Sequence, residues 1–324
     1  MKASVGKAID VAASYLRKGQ LVGIPTETVY GLAGNALDVP TLSLIFETKN
    51  RPTFDPLILH SASLERVMPY ISSFPAPLKT LAEKFWPGPL TLLLPKAAEV
   101  PDLLTSGLDR VAVRVPSHPF TLSLLQTLEF PLAAPSANPF GYISPTQAQH
   151  VYAQLGDKIP YILDGGSCEV GIESTIVGMV GDQVVIYRLG GQEVNEIEKW
   201  VGPVQVQAHS SSQPNAPGQL ESHYAPRKPF FLGHLSDLIA QHTSHGKKIG
   251  VLSFSTNFQQ LPLENQRILS LSGDLREAAQ QLFSAMRQLD ESAVDLILAE
   301  EVPEVGLGRA INDRLRRASA SSQG

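Results

Sequence analysis

Leu21-Val22-Gly23-Ile24, running on into Pro25-Thr26-Glu27-Thr28-Val29-Tyr30-Gly31-Leu32, decides how the chain begins to fold. The four apolar residues suit a short buried strand, and the polar run after them falls at its carboxyl end. In open α/β sheets that end is where ligands bind. Further on, a helical pattern over residues 39 to 49 closes with Lys49-Asn50-Arg51, two cations spaced i and i+2. Fixed positive charges beside hydroxyls and backbone amides suit an anion, above all a phosphate.

Outward from this stretch, Val5, Ala8, Ile9, Ala12, Ala13, Tyr15 and Leu16 predict one helix over residues 4 to 18, closed by Gly19. Leu57-Ile58-Leu59-His60 reads as a strand after Pro56, and Ser61 is expected to open another helix. Leu90-Thr91-Leu92-Leu93-Leu94 is too apolar to have a wet face, and Val111-Ala112-Val113-Arg114-Val115 is a strand whose polar exception is Arg114. Pro131-Leu132-Ala133-Ala134 leads into the turn Pro135-Ser136-Ala137-Asn138-Pro139. Ser144-Pro145-Thr146-Gln147 reads as a helix start with Ser144 as its cap. Strands at 173 to 177 and 184 to 188 complete a first α/β domain over residues 1–205.

Residues 206–228 read as a linker or lid, because 208 to 218 are rich in Ser, Pro and Gly without periodicity. Strand, helix, strand, helix then recur from Ile249 to Ala318, predicting a small parallel α/β domain over residues 229–324.

The 324 residues are 43% hydrophobic and 18% charged, ordinary for a globular enzyme, and no apolar run is long enough to cross a bilayer. With no signal core at the N-terminus, a cytoplasmic location is expected. The lone Cys168 excludes an intrachain disulfide and a multi-cysteine zinc site. A net charge of −5 argues against a protein that coats nucleic acid, so no stable nucleic-acid binding is expected. The sequence has no G-x-x-x-x-G-K-S/T loop, no H-E-x-x-H and no G-x-S-x-G elbow. It offers instead Lys49, Arg51, Arg114 and Arg188 at strand ends and turns, which together suggest a phosphate-binding cavity. His60 is either a structural histidine or a partner for a substrate hydroxyl or carboxylate. Ser144 is compatible with both capping and anion binding.

Read together, Pro25 to Leu32, Lys49-x-Arg51, Pro56-Leu57-Ile58-x-His60, Trp86-Pro87-Gly88-Pro89-Leu90-Thr91, Arg114-Val115-Pro116, Ser136-Ala137-Asn138, Glu173-Ser174-Thr175-Ile176 and Arg188-x-Gly190 resemble the YrdC-like family, the threonylcarbamoyl-AMP synthases. His223-Tyr224-Ala225-Pro226 and Gly306-Leu307-Gly308-x-Ala310-Ile311-x-x-Arg314-Leu315 resemble its two-domain form. The resemblance implies a twisted α/β catalytic domain with a concave basic cavity, a smaller Rossmann-like domain, and a linker able to cross the cavity mouth.

It also implies condensation of L-threonine, bicarbonate and ATP to threonylcarbamoyl adenylate and pyrophosphate, for modification of tRNA. The product would pass transiently to a tRNA threonylcarbamoyltransferase complex. By motif, Lys49, Arg51, Ser136 and Asn138 form the family's tetrad. Thr28, His60, Arg114, Ala134 and Ser174 would hold threonine, and Arg51, Asp55, Arg110, Ser136, Ser144, Arg188 and Tyr224 would hold ATP. Mg2+ is expected with the triphosphate, with no dedicated metal cage and no organic cofactor. Asp55 stands where the family usually has asparagine, so Arg51 or a metal must offset its charge. The linker lacks the methionine and basic residues usual before the tyrosine. Two other readings are an RNA-binding protein of the same fold without synthase activity, and a carbamoyltransferase component. The acidic net charge and the lack of an arginine-rich run speak against the first, and the absence of the segments that accompany such proteins against the second.

Overall fold

A computed structural model describes residues 2–207, 216–217, 223–243 and 246–320. Most of the expected linker, 208–215 and 218–222, lies outside the described residues. The larger part of the chain forms an eleven-stranded mixed sheet. In spatial order its strands are Ser4–Gly6, Tyr161–Leu163, Val22–Ile24, Gly31–Asn35, Leu132–Ala133, Ile58–His60, Arg110–Arg114, Leu90–Pro95, Thr175–Val180, Gln183–Arg188 and Gln205–Val206.

Alternation along the strands splits the core. Leu32 joins Leu42, Ile45, Phe46, Val151 and Leu155 from the helices Val39–Lys49 and Ala148–Leu155. Ala33 joins Ala12, Ala13, Leu16, Leu124 and Leu125 from the helices Ile9–Arg17 and Pro119–Thr127. Side chains one residue apart on a strand point to opposite faces, so helices lie on both sides of this region. Farther along, Ile58, Leu93, Ala112, Ile176, Val185 and Tyr187 form an apolar face on which Ala216 of the linker sits.

The second sheet holds Phe230–Leu232, Leu296–Ala299, Ile249–Ser253 and Gln266–Ile268 in that order, all parallel, with the helices Leu235–Thr243, Leu275–Glu291 and Gly308–Ser319. This is the small parallel α/β unit anticipated from the sequence. Its core is continuous with the first domain: Val29, Tyr142, Ile143 and Ile172 cluster with Phe283, Met286 and Leu307.

Three local expectations are corrected. Residues 4 to 18 do not form one helix: Ser4–Gly6 is an edge strand parallel to Tyr161–Leu163, and the helix starts at Ile9. Val5 fits the helical period but is 46% exposed, so its apolarity reported the strand and not a helix face. Ser61 opens turns and a single 3₁₀ turn at Met68–Tyr70, with the helix delayed to Ala76–Phe85. Pro69 lacks an N–H and would clash with a carbonyl one turn back, so a helix cannot run through it. Ser144 caps no helix, since the helix begins at Ala148 after Gln147. The backbone there is committed elsewhere: Pro145 O accepts from Tyr30 N (2.8 Å) and Thr146 O from Cys168 N (3.0 Å).

Candidate functional site: an arginine-lined cavity

Register sets the site. Ile58–His60 runs parallel to Arg110–Arg114 with His60 opposite Arg114, so both side chains emerge at one sheet edge. At the same edge lie Ser174, just before Thr175–Val180, and Arg188, at the end of Gln183–Arg188. The turn after Val22–Ile24 delivers Thr28, and the segment after Leu132–Ala133 delivers Ala134 and Ser136. Thr28, Arg51, His60, Arg114, Ala134, Ser136, Ser174 and Arg188 converge on one cavity, which Glu173, Pro217, His223 and Tyr224 also line.

The Thr28 turn is built by its neighbour. Thr26 Oγ1 accepts from the amides of Thr28 and Val29 (both 3.2 Å) and donates to Val29 O (2.6 Å), a local turn that threonine favours. Thr28 Oγ1 then accepts from Arg114 Nη1 at 2.9 Å. Arg114 also pairs with Glu27 Oε1 at 2.7 Å and donates to Gly88 O at 3.3 Å. The His60 ring faces Ile58 O at 3.1 Å through Nδ1. A carbonyl only accepts, so Nδ1 carries the proton and Nε2 is left as an acceptor. Burial, and then the Arg114 charge, push the His60 pKa down to about 3, so the ring is neutral at physiological pH. A neutral ring with Nε2 open suits a hydroxyl or amine donor and not a carboxylate, which narrows the sequence reading.

Lys49 and Arg51 part company at Asn50. Asn50 adopts a left-handed φ of 52° and ends the helix, and Arg51 N bonds back to Phe46 O at 2.9 Å. Arg51 therefore reaches the cavity wall, where Nε donates to Asp55 O (2.9 Å) and Nη2 to Pro56 O (2.8 Å). Nη2 also lies 2.9 Å from Asp55 Oδ2, so Arg51 offsets the unusual carboxylate. Lys49 is 1% exposed and lies beneath the wall, its Nζ donating to Ser136 O and Asn138 O. Burial, followed by the Arg51 charge, holds its ammonium well below the usual lysine range. Asn138 is also enclosed, its amide donating to Pro139 O and Tyr142 O (both 2.8 Å).

Ser144 stands behind the wall and donates to Glu173 Oε1 at 2.6 Å. Arg188 holds Ser174 through Nε to its carbonyl and Nη2 to its hydroxyl (both 3.0 Å). Burial lowers the Arg188 pKa to about 10, leaving it cationic at neutral pH. Arg110 is not brought to the cavity. It starts the strand that Arg114 ends, about 13 Å away for four strand residues, and donates to Tyr187 OH at 3.0 Å.

From the linker, Tyr224 enters with a left-handed φ of 66°, unusual for a bulky residue. Its ring stacks on Phe283 at 5.3 Å, with the guanidiniums of Arg314 (5.3 Å) and Arg317 (4.9 Å) in cation–π range of its centroid. His223 packs edge-on to it at 4.2 Å and is held neutral by burial, then by the Arg317 charge. Pro217 and these rings narrow the cavity from the linker side. Cys168 nearby is buried, and burial followed by the Glu27 charge pushes its thiol up, away from the reactive thiolate. Sequence reasoning missed Glu27, Glu173, Pro217 and His223. For the two glutamates the available signal was a carboxylate inside each polar motif that also supplies a threonine or serine.

The fold and cavity define a two-domain YrdC-like protein: a mixed sheet gathers arginines at one edge, and a parallel α/β domain packs beside it through a segment that enters the cavity. Residues 14–190 match the Sua5/YciO/YrdC family model, described as telomere recombination, and residues 192–320 match the C-terminal domain model of threonylcarbamoyl-AMP synthase. Threonylcarbamoyl-AMP synthase of Pyrococcus abyssi is 42% identical, over 96% of this chain and 94% of its own. That of Bacillus subtilis is 38% identical, over 96% and 92%. The crystal structure of P. abyssi Sua5 complexed with L-threonine matches with a TM-score of 0.92 at 40% identity, covering 99% of this chain and 98% of that one. The chain belongs to the threonylcarbamoyl-AMP synthase family, in its two-domain form.

Proposed function

We propose that this protein condenses L-threonine, bicarbonate and ATP into threonylcarbamoyl adenylate with release of pyrophosphate, for tRNA threonylcarbamoyladenosine modification. The observation that carries the reading is one cavity lined by two kinds of group. Thr28, neutral His60 and Arg114 suit a small amino acid with a hydroxyl and a carboxylate. Arg51, Ser136 and Arg188 suit phosphate oxygens. A homologue of the same fold has been crystallised with L-threonine, which supports the first assignment.

The chemistry asks little of a protein nucleophile. The amine of threonine adds to carbon dioxide or bicarbonate, and the resulting carbamate oxygen, already anionic, attacks the α-phosphorus as pyrophosphate departs. The cavity supplies positioning, compensation of developing charge and exclusion of water from a labile carbamate. Lys49 and Asn138 act from beneath by fixing the Ser136 turn, and Asp55 acts by steering Arg51. Arg110 has no part in this reading.

Magnesium is proposed to arrive with the triphosphate. Among the described residues no group of three or more His, Cys, Asp or Glu could hold a metal, and Glu27, Asp55 and Glu173 are each paired with arginine. The ion's ligands would then be phosphate oxygens and water, a usual arrangement for Mg2+. The product, a reactive mixed anhydride, calls for direct hand-over to a tRNA threonylcarbamoyltransferase complex. No helix among the described residues is long and apolar enough to cross a membrane, and a cytoplasmic site of action is part of the proposal.

Purified protein given labelled threonine, bicarbonate and ATP is expected to release pyrophosphate only when all three are present, with a threonylcarbamoyl adenylate recoverable. Pyrophosphate release that ignores threonine defeats the assignment. In the RNA-binding reading, a filter-binding titration would instead show tight RNA affinity falling steeply with salt.

A further inference from the structure

The cavity's own domain supplies no excess of accessible positive charge. Arg51 is paired with Asp55 and Arg114 with Glu27, both at short range. Arg188 has no carboxylate in ion-pair contact among the described residues, although Glu173 lines the same cavity and neighbours it electrostatically. Glu173 precedes Ser174, the residue that Arg188 grips through both carbonyl and hydroxyl. Three arginines thus face three carboxylates, a balance that would offer a polyphosphate no net attraction.

The second domain tips that balance. Arg314, on the helix Gly308–Ser319, is fully enclosed and donates from Nε and Nη2 to Glu173 Oε2, both at 3.1 Å. Ser144 occupies the other carboxylate oxygen at 2.6 Å. Arg314 also reaches Leu189 O at 2.6 Å, and Asp313 lies 2.8 Å from Arg314 and 3.6 Å from Arg317. Arg314 thus brings a positive charge from the second domain directly against Glu173 at the back of the cavity wall. Although burial opposes ionisation of Glu173, Arg314, then Arg188 and the Ser144 hydroxyl outweigh it and hold the carboxyl below its ordinary range.

We propose that Arg314 is a positioning residue of the nucleotide site: by donating two N–H groups from the second domain to one Glu173 oxygen, it keeps Arg188 unclaimed by that carboxylate and aimed at phosphate oxygens. Without Arg314, the nearest cation left to the buried Glu173 is Arg188, and their pairing would turn a phosphate ligand into a structural salt bridge. The C-terminal domain thereby sets the charge of a cavity whose ligands come from the other domain. This rests on the reading that the cavity takes ATP.

The test is a charge-rescue cycle on the full-length protein, read as threonine-dependent pyrophosphate release. Arg314→Gln is expected to raise KM for ATP at least about tenfold while KM for threonine stays within about twofold. Arg314→Lys keeps the charge but not the paired N–H donors and should fall between. In a Glu173→Gln background no carboxylate remains to capture Arg188, so adding Arg314→Gln should change KM for ATP by less than about threefold. The same comparison serves if Arg314→Gln alone folds poorly, because both members of that background lack the buried unpaired charge. Equal losses for both substrates, or an Arg314→Gln defect as large beside Glu173→Gln as without it, would overturn the proposal. Wild-type protein that makes no threonine-dependent pyrophosphate overturns the functional reading and this inference together. An active wild type without rescue overturns the inference alone.

Discussion

Lys49 supports the cavity from beneath without lining it. Its ammonium is spent on two main-chain carbonyls of the Ser136 to Asn138 turn. Lys49→Met keeps the stem but removes the donor to Asn138 O, at about 1 to 3 kcal/mol, while Ser136 O keeps only the Asn138 amide at 3.0 Å. Threonine-dependent pyrophosphate release should fall at least about a hundredfold, and normal turnover would remove the residue from the machinery. His60 makes a pH prediction with a definite sign. Its folded pKa, about 3, lies below the unfolded value near 6.5, so the unfolded chain binds the extra proton between those limits. Stability is therefore complete above pH 6.5 and declines as pH falls towards 3, by about 1.4 kcal/mol per pH unit for this residue. Denaturant titrations at pH 7 and pH 5 should show a smaller loss in His60→Gln than in the wild type; equal losses would mean that His60 titrates normally. The Lys49 and Arg51 cations were legible as a pair. Their separate destinations were not, because they depend on the left-handed turn at Asn50.

Elements with a strong local cause read well. The helix Val39–Lys49 was anticipated to the residue, and its N-cap explains why: Asp38 accepts from Thr41 N at 3.0 Å, and Pro40 suits the first turn. Asp38→Ala should cost about 1 kcal/mol and lower the thermal midpoint, without abolishing activity at low temperature. An unchanged midpoint would show that packing of Leu42, Ile45 and Phe46 alone fixes this helix. The apolar strand Leu90–Pro95 was equally plain. Prediction failed where two local signals competed. Val5 fitted a helix while its backbone paired with Ile162, and Ser144 looked like a cap while its hydroxyl was taken by Glu173. Both outcomes were decided by partners far along the chain, which no window on the sequence contains.

At the scale of the whole molecule, the shared wall between the domains was the least legible part. Arg287, Arg314 and Arg317 belong to amphipathic helices and look like solvated faces, yet each is buried. Arg287 donates to the carbonyls of Ile143 and Ser144 and to Gln154, across more than a hundred residues of chain. Tyr142 OH reaches Asp290 at 2.6 Å in the same seam. Gly171, with φ at 78°, is a close approach in this seam, where an added Cβ would lie 2.4 Å from Gln280 Cα and 2.5 Å from Ala279 O. Backbone cannot yield as a flexible side chain can, so Gly171→Ala must push the helix Leu275–Glu291 outward and carry Arg287 with it. Calorimetry should show a lower or split unfolding transition, and steady-state assays a loss of activity. A variant indistinguishable from the wild type would mean that the seam is looser than drawn.

Cys168 offers a practical consequence. Its side chain is sequestered, its thiol is poorly ionised, and the chain has no other cysteine. A maleimide added to native protein should leave the wild type unmodified until denaturant is present. Dyes or spin labels could then be attached at chosen surface positions without first removing a native thiol, so that distances across the mouth of the cavity can be followed as ligands are added.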